Sequence, residues 1–278
     1  MYKNYTLPAS NRGRKVCIDL DLPAGAGPFP VVVFLHGFKG FKDWGHFPAV
    51  AAAFAQAGLA CCRCNFSHNG TSPETPDRFT DLEGFAENNY SREQEDCRLL
   101  MDWLLHHEPL QGLINPEAIY LLGHSRGGAM AILFARTEPR IRKLVTWAAV
   151  ADLESRMALR QHRYWRDKGV IYTYNSRTEQ HMPMHYQFYL DYMANKEAFD
   201  VKAAAASLDI PWLIVHGVRD ESVKIDEGRL LNSLNPGAQL MEVKQAGHTF
   251  GVSHPFLGEL PDAAAKVLKA TTDFFKGK

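Results

Sequence analysis

The chain has 278 residues, 46% of them hydrophobic and 22% charged, which suits one large α/β domain carrying an insertion. Its 31 basic and 31 acidic residues balance, so no overall positive field is available to hold a phosphate backbone, and no nucleic acid is expected as a partner. The first residues lack the apolar stretch of a signal peptide, and no run approaches the ~20 apolar residues of a membrane span, so a cytoplasmic protein without membrane contact is expected.

Val16 to Leu22 alternates well enough to be an early strand. Pro30 to Leu35 is a continuous apolar run ending at His36-Gly37, the pattern of a strand buried on both faces. Phe47 to Ala57 predicts a helix that Gly58 stops. The next strand, Leu59 to Phe66, holds Cys61, Cys62 and Cys64; no second cluster has matching spacing, so these read as buried side chains rather than a zinc knuckle. A polar loop from Ser67 to Asn89 leads to Ser91-Arg92-Glu93-Gln94, a capping box that predicts a helix running to His107.

The apolar run Ala118 to Leu122 enters Gly123-His124-Ser125-Arg126-Gly127, and good helix formers follow to Arg136. A G-x-S-x-G between strand and helix is the nucleophile elbow, in which residues without Cβ let the backbone turn abruptly and leave the serine exposed at the apex. Ser125 is therefore the candidate nucleophile. The strand Lys143 to Ala149 continues an alternation that the right-handed crossover rule builds into a mostly parallel sheet.

After Val150 the rhythm breaks. Residues 151 to 207 contain only helix-like and aromatic stretches and read as an inserted cap, leaving 1 to 150 and 208 to 278 as the core of a single domain. Trp165, Tyr172, Tyr174, Tyr186, Phe188, Tyr189 and Tyr192 crowd this segment; Tyr172, Tyr174, Tyr186 and Tyr189 are candidates for a substrate pocket, and packing inside the cap is the other account. Arg156, Arg160, Arg163 and Arg166 are spaced to share one helix face, either solvated or steering an anionic substrate. His181 and His185 have the spacing of helical metal ligands, but Pro183 between them interrupts a helix, so they read as loop or pocket-wall residues.

The strand pattern resumes at Ile210 to Gly217, followed by Asp220 and Glu221. A helix from Ile225 to Leu234, a strand from Gln239 to Lys244, then His248 and His254, and a closing helix from Pro261 to Phe275 complete the chain. A serine hydroxyl needs a histidine base and a carboxylate that orients it, and in open α/β sheets such groups gather beyond the carboxyl ends of the strands. Asp220, with Glu221 as its neighbour, and His248, with His254 as the nearest competitor, both follow strands there. The backbone N–H groups of Arg126 and of Phe38, in the His36-Gly37-Phe38 loop, are placed to bind an oxyanion. His36 is read as bracing that loop, with contact to substrate as the alternative.

The His36-Gly37-Phe38 loop, the Gly123-His124-Ser125-Arg126-Gly127-Gly128 elbow, Asp220 and Gly247-His248 together resemble the α/β-hydrolase superfamily over nearly the whole chain except the cap. They are similar to bacterial cinnamoyl and feruloyl esterases and to the dienelactone-hydrolase and prolyl-oligopeptidase-like branch, although those esterases commonly carry glutamine where this chain has Arg126. The resemblance implies a Ser125, His248 and Asp220 triad that needs no metal or organic cofactor and cleaves small-molecule esters of carboxylic acids, aromatic ones included. A thioesterase, a hydrolase of small peptides or amides, and a catalytically weak binding protein of the same fold are the alternatives. The oligomeric state, a homodimer included, is left open.

Overall fold

The computed structural model describes residues 2–8 and 10–278. The chain runs β1 (Tyr2–Thr6), β2 (Cys17–Asp21), β3 (Phe29–Leu35), α1 (Phe47–Gln56), β4 (Ala60–Asn65), α2 (Leu82–Ala86), α3 (Tyr90–His106), β5 (Ile114–His124), α4 (Arg126–Thr137) and β6 (Ile141–Trp147). It continues with α5 (His162–Lys168), β7 (Val170–Asn175), β8 (Gln180–His185), α6 (Gln187–Ala194), α7 (Val201–Ser207), β9 (Trp212–Gly217), α8 (Ile225–Leu234), β10 (Gln239–Val243) and α9 (Asp262–Lys276). Eight strands form one sheet in the order β1-β2-β4-β3-β5-β6-β9-β10. From β4 to β10 all neighbours are parallel, and β1 and β2 are added antiparallel at one edge.

The apolar runs explain the three layers. In β3, Val31, Val33 and Leu35 face one way and pack with α3, α4, α7 and α8, while Val32 and Phe34 face the other and pack with α1 and α9. Because side chains alternate across a strand, a run apolar at every position is what a sheet covered by helices on both faces demands. All five cysteines are free and buried among these side chains, and burial pushes the Cys61 thiol up to about 12.

Besides the unexpected edge strand β1, the structure departs from the sequence reading at four places. The helix expected to begin with a capping box at Ser91 is capped by Asn89, whose side chain accepts a hydrogen bond from the Arg92 amide, while Ser91 Oγ donates to Asp191 of α6 at 2.6 Å. The polar loop before it contains the short helix α2, capped by Asp81. The segment 151 to 207, read as lacking strands, holds β7 and β8 as an antiparallel hairpin; Pro183 lies within β8, and His181 and His185 are strand residues. Finally, α7 at the end of that segment packs against α4 and α8, so it belongs to the helix layer of the sheet.

A buried charged group braces the loop that leaves β3. Arg63 on β4 donates to Asp19 on β2 at 3.0 Å and to the Lys42 carbonyl at 2.8 Å, and the Lys42 amide donates to Asn65 Oδ1 at 2.6 Å. Buried ions of this kind add little net stability, but they punish any other path of the backbone, which would strand a charge away from water.

Candidate active site

Ser125 sits where β5 turns directly into α4, with φ 58° and ψ −121°. This left-handed backbone is uncommon for a residue with a Cβ and marks a position held by its surroundings. The turn is tight enough that a Cβ on Gly123 would meet the Gly127 carbonyl at 2.3 Å, and one on Gly127 would meet the Leu35 carbonyl at 2.3 Å. The Ser125 amide donates to the Trp147 carbonyl at 2.9 Å, and its own carbonyl accepts from Val150 at 3.2 Å, which fixes it to the end of β6.

The loop after β3 lies against this serine: a Cβ on Gly37 would be 2.9 Å from Ser125 Cβ. Among the described residues, neither the Phe38 amide nor the Arg126 amide at the start of α4 donates to a protein acceptor. His36 is 3% exposed beneath the loop. Its Nδ1–H donates to the Gly37 carbonyl at 2.9 Å, and burial pushes its pKa down to about 4. It does not line the cavity over Ser125, so the alternative that placed it among the pocket residues is corrected: it is packed under the loop against Phe66.

Asp220, 3% exposed, follows β9, and His248 follows β10. His248 Nδ1 donates to Asp220 Oδ2 at 2.7 Å, and the other carboxylate oxygen accepts from the Ser222 and Val223 amides at 2.8 and 2.9 Å. Burial alone would raise the Asp220 pKa, but the bond to His248 and the two amides outweigh it and hold the carboxyl below its usual value. The carboxylate thus fixes the imidazole tautomer and leaves Nε2 with its lone pair. Glu221 is exposed, and His254 accepts from the Gly45 amide at 3.0 Å and stacks on Trp44, so neither alternative joins this pair.

His124 supports the loop from beneath, its Nε2–H donating to the His248 carbonyl at 3.0 Å. Burial, and next the proximity of His248, push its pKa down to about 3 and keep it neutral. Arg126, by contrast, keeps its charge out of water through Glu93, whose carboxylate accepts from Nη2 at 2.5 Å. The same guanidinium lies 4.4 Å from the centre of the Phe38 ring, so the side chain that follows Ser125 packs on the neighbouring loop.

A cavity of about 710 Å³ opens over Ser125, His248, Phe38 and Arg126. Tyr172 and Tyr174 line it from β7, together with Trp165 and Phe188. Tyr186 and Tyr189 do not: their rings stack on each other at 5.4 Å and pack around His162 and Trp165, so they are corrected to packing residues. The four arginines share no helix face, because the chain breaks between short 3-10 turns before α5; Arg156 pairs with Glu227, and Arg160, Arg163 and Arg166 are exposed. Lys39, Trp44, Tyr90, Asn175 and Arg177 also line the cavity and were not singled out from the sequence. Among the described residues, no group of histidine, cysteine or carboxylate side chains is arranged to hold a metal, and no helix is long and apolar enough to cross a membrane.

A hydroxyl at a strained turn, an imidazole fixed by a carboxylate and two free amides around one cavity can together support nucleophilic attack on a carbonyl. No curated protein matches the sequence. The chain is similar to Est1E from Butyrivibrio proteoclasticus, at 16% identity and TM-score 0.70 over 98% of this chain and 97% of that one; Est1E has also been solved with ferulic acid bound. It is similar to the esterase domain of a Rhodothermus marinus protein, at 20% identity and TM-score 0.64 over 97% and 95% of the two chains. A dienelactone hydrolase from Anabaena variabilis aligns at 20% identity and TM-score 0.60 over 98% and 96%. At such identities the likeness is one of fold. The family described as alpha/beta hydrolase fold matches residues 30–204, and the chain belongs to that family.

Proposed function

We propose that the protein is a serine hydrolase that cleaves carboxylic esters of small acids, aromatic ones included, through an acyl-enzyme on Ser125. The observation that carries this reading is the 2.7 Å bond from His248 to the buried Asp220 carboxylate, with His248 and Ser125 lining one cavity. In this mechanism His248 Nε2 takes the Ser125 proton as Oγ attacks the ester carbonyl, and the tetrahedral oxyanion is held by the Phe38 and Arg126 amides. Collapse of that intermediate expels the alcohol, which receives the proton from His248. Water activated by the same imidazole then attacks the acyl-enzyme and releases the acid and Ser125. Asp220 stabilises the imidazolium formed in each half. Each oxyanion donor contributes about 3 kcal/mol to the transition state.

The aromatic wall made by Tyr172, Tyr174, Trp165 and Phe188 supports small, flat acyl groups, because such side chains bury ring faces at little entropic cost. Residues 151 to 207, apart from the core-packed α7, act in this reading as a cap over the serine. The test is turnover of 4-nitrophenyl butyrate together with fluorophosphonate labelling. S125A should abolish labelling and lower kcat by several orders of magnitude while keeping the thermal transition of the parent. Unchanged turnover in S125A overturns the assignment.

A further inference from the structure

We infer that Asn175, Arg177 and Lys39 form a carboxylate-binding subsite, so that the ester hydrolysed at Ser125 carries a carboxylate of its own. This rests on the ester-hydrolase reading for its substrate, but the subsite is argued from the structure alone. All three residues line the cavity that Ser125 lines. Asn175 is 2% exposed, and its Nδ2 has no hydrogen-bond partner among the described residues. Its Oδ1 accepts from the Arg177 amide at 3.3 Å, so the unpaired end is the donor end. A buried amide donor without a partner is costly, and in native proteins such a group calls for an acceptor that completes it.

Beside this donor stand two cations with no carboxylate of their own. Lys39 Nζ donates to the Tyr174 carbonyl at 2.8 Å, and Arg177 Nη2 donates to the Lys39 carbonyl at 2.7 Å. Neither forms an ion pair among the described residues, whereas the cavity's other two arginines do: Arg126 with Glu93 and Arg156 with Glu227. Partial removal from water, and next the nearby Arg177 charge, lower the Lys39 pKa. The described lining contains no aspartate or glutamate, in a chain whose 31 acidic residues equal its basic ones. An incoming carboxylate would receive the Asn175 N–H and relieve the repulsion between the two cations. The alkyl end of a neutral ester of the same length would do neither. Charge-assisted bonds of this type are among the stronger ones a site can offer.

The same contacts tie the subsite to the loop of Phe38. Lys39 is the residue after Phe38 and has a left-handed φ of 55°, and the guanidinium that holds its carbonyl comes from the turn between β7 and β8. An anion seated there lies against the loop after β3 and the β7–β8 hairpin, which these two bonds join.

The experiment compares mono-4-nitrophenyl glutarate with 4-nitrophenyl pentanoate, which has a similar acyl length and no charge, and titrates glutarate by calorimetry. The parent should prefer the glutarate ester in kcat/KM, and that preference should fall about tenfold or more in N175D and R177M and shrink with added salt. Glutarate should bind the parent and bind both variants at least about tenfold more weakly. N175D is nearly isosteric, so it keeps the test available if R177M does not fold, and R177K should restore part of the preference. Cleavage of the pentanoate ester without preference for the glutarate ester overturns the subsite and leaves the esterase reading standing. If neither ester is cleaved, the esterase reading fails, and glutarate binding that is lost in N175D still supports the subsite. Equal glutarate affinity in parent and N175D overturns it.

Discussion

Gly127 shows how one residue sets the geometry around Ser125. Its absent side chain lets α4 approach so closely that an added Cβ would fall 2.3 Å from the Leu35 carbonyl and 2.4 Å from that of His36, both backbone atoms in the strand and loop that carry Phe38. G127A must therefore push α4 away from β3. Overpacking of this kind costs about 1–3 kcal/mol, and here it also shifts Ser125 relative to the Phe38 amide. Urea denaturation of G127A should show a lower midpoint with unchanged slope, and kcat should fall more than KM rises; a parental midpoint means the approach is looser than described. The proposed partners of Ser125 could be sought in the sequence because each follows the carboxyl end of an expected strand. Lys39 and Asn175 could not, since a residue in the loop after β3 and one in the hairpin 136 positions later meet only through folding.

At the scale of elements, α3 begins at Asn89 rather than at the Ser91 capping box. Asn89 Oδ1 accepts from the Arg92 amide at 2.9 Å, and its backbone is extended, as a cap requires. N89A should lose about 1 kcal/mol of stability in urea denaturation. S91A keeps that cap and loses instead the hydroxyl bond to Asp191, one of the bonds to α6 beside those from the Ser91 amide to Asp191 and from Asn89 Nδ2 to Gln187; if S91A unfolds as a helix-cap loss and N89A does not, the assignment is reversed. The box misled because serine and asparagine both cap, and only the folded arrangement shows that the Ser91 hydroxyl is taken by Asp191 while Asn89 Oδ1 stays on the Arg92 amide. Strands β3, β4, β5 and β9 were legible because both faces are covered, which leaves an uninterrupted apolar run. The hairpin was not. Tyr172 and Tyr174 point to the cavity side and solvent, Pro183 stands within the second strand and reads as a breaker, and polar residues fill much of the remainder, so neither the alternation nor the apolar run that marks a strand is present. Edge strand β1 was missed for the related reason that Lys3 and Asn4 face water.

Across the whole molecule, five histidines among the described residues are almost entirely out of water: His216, whose pKa burial also lowers, and His36, His46, His68 and His124. Burial pushes their pKa values down, to about 4 for His36 and His46 and about 3 for His68 and His124. An unfolded chain takes up a proton on each near pH ~6.5, while the folded state refuses it until far lower. Their stabilisation is therefore complete above that pH and is lost as the pH falls, at about 1.4 kcal/mol per pH unit for each imidazole. Asp96 works the other way. Burial raises its pKa to about 7 against the hydrogen bonds from Asn11 and Ser67, so the folded state keeps a proton that the unfolded chain releases above pH ~4, and acid favours folding at this group. Glu93, raised by burial despite Arg126, has the same sign. The buried imidazoles outnumber the two carboxylates, so the net effect of acid below pH ~6.5 is a loss, set against a total stability of roughly 5–15 kcal/mol. The urea midpoint should fall steeply between pH 7 and pH 5, and D96N, which removes one opposing group, should make the fall steeper. A midpoint that stays level or rises across that interval means that the buried imidazoles accept protons in the folded state, and with them the account of a neutral His124 beneath His248 would fail.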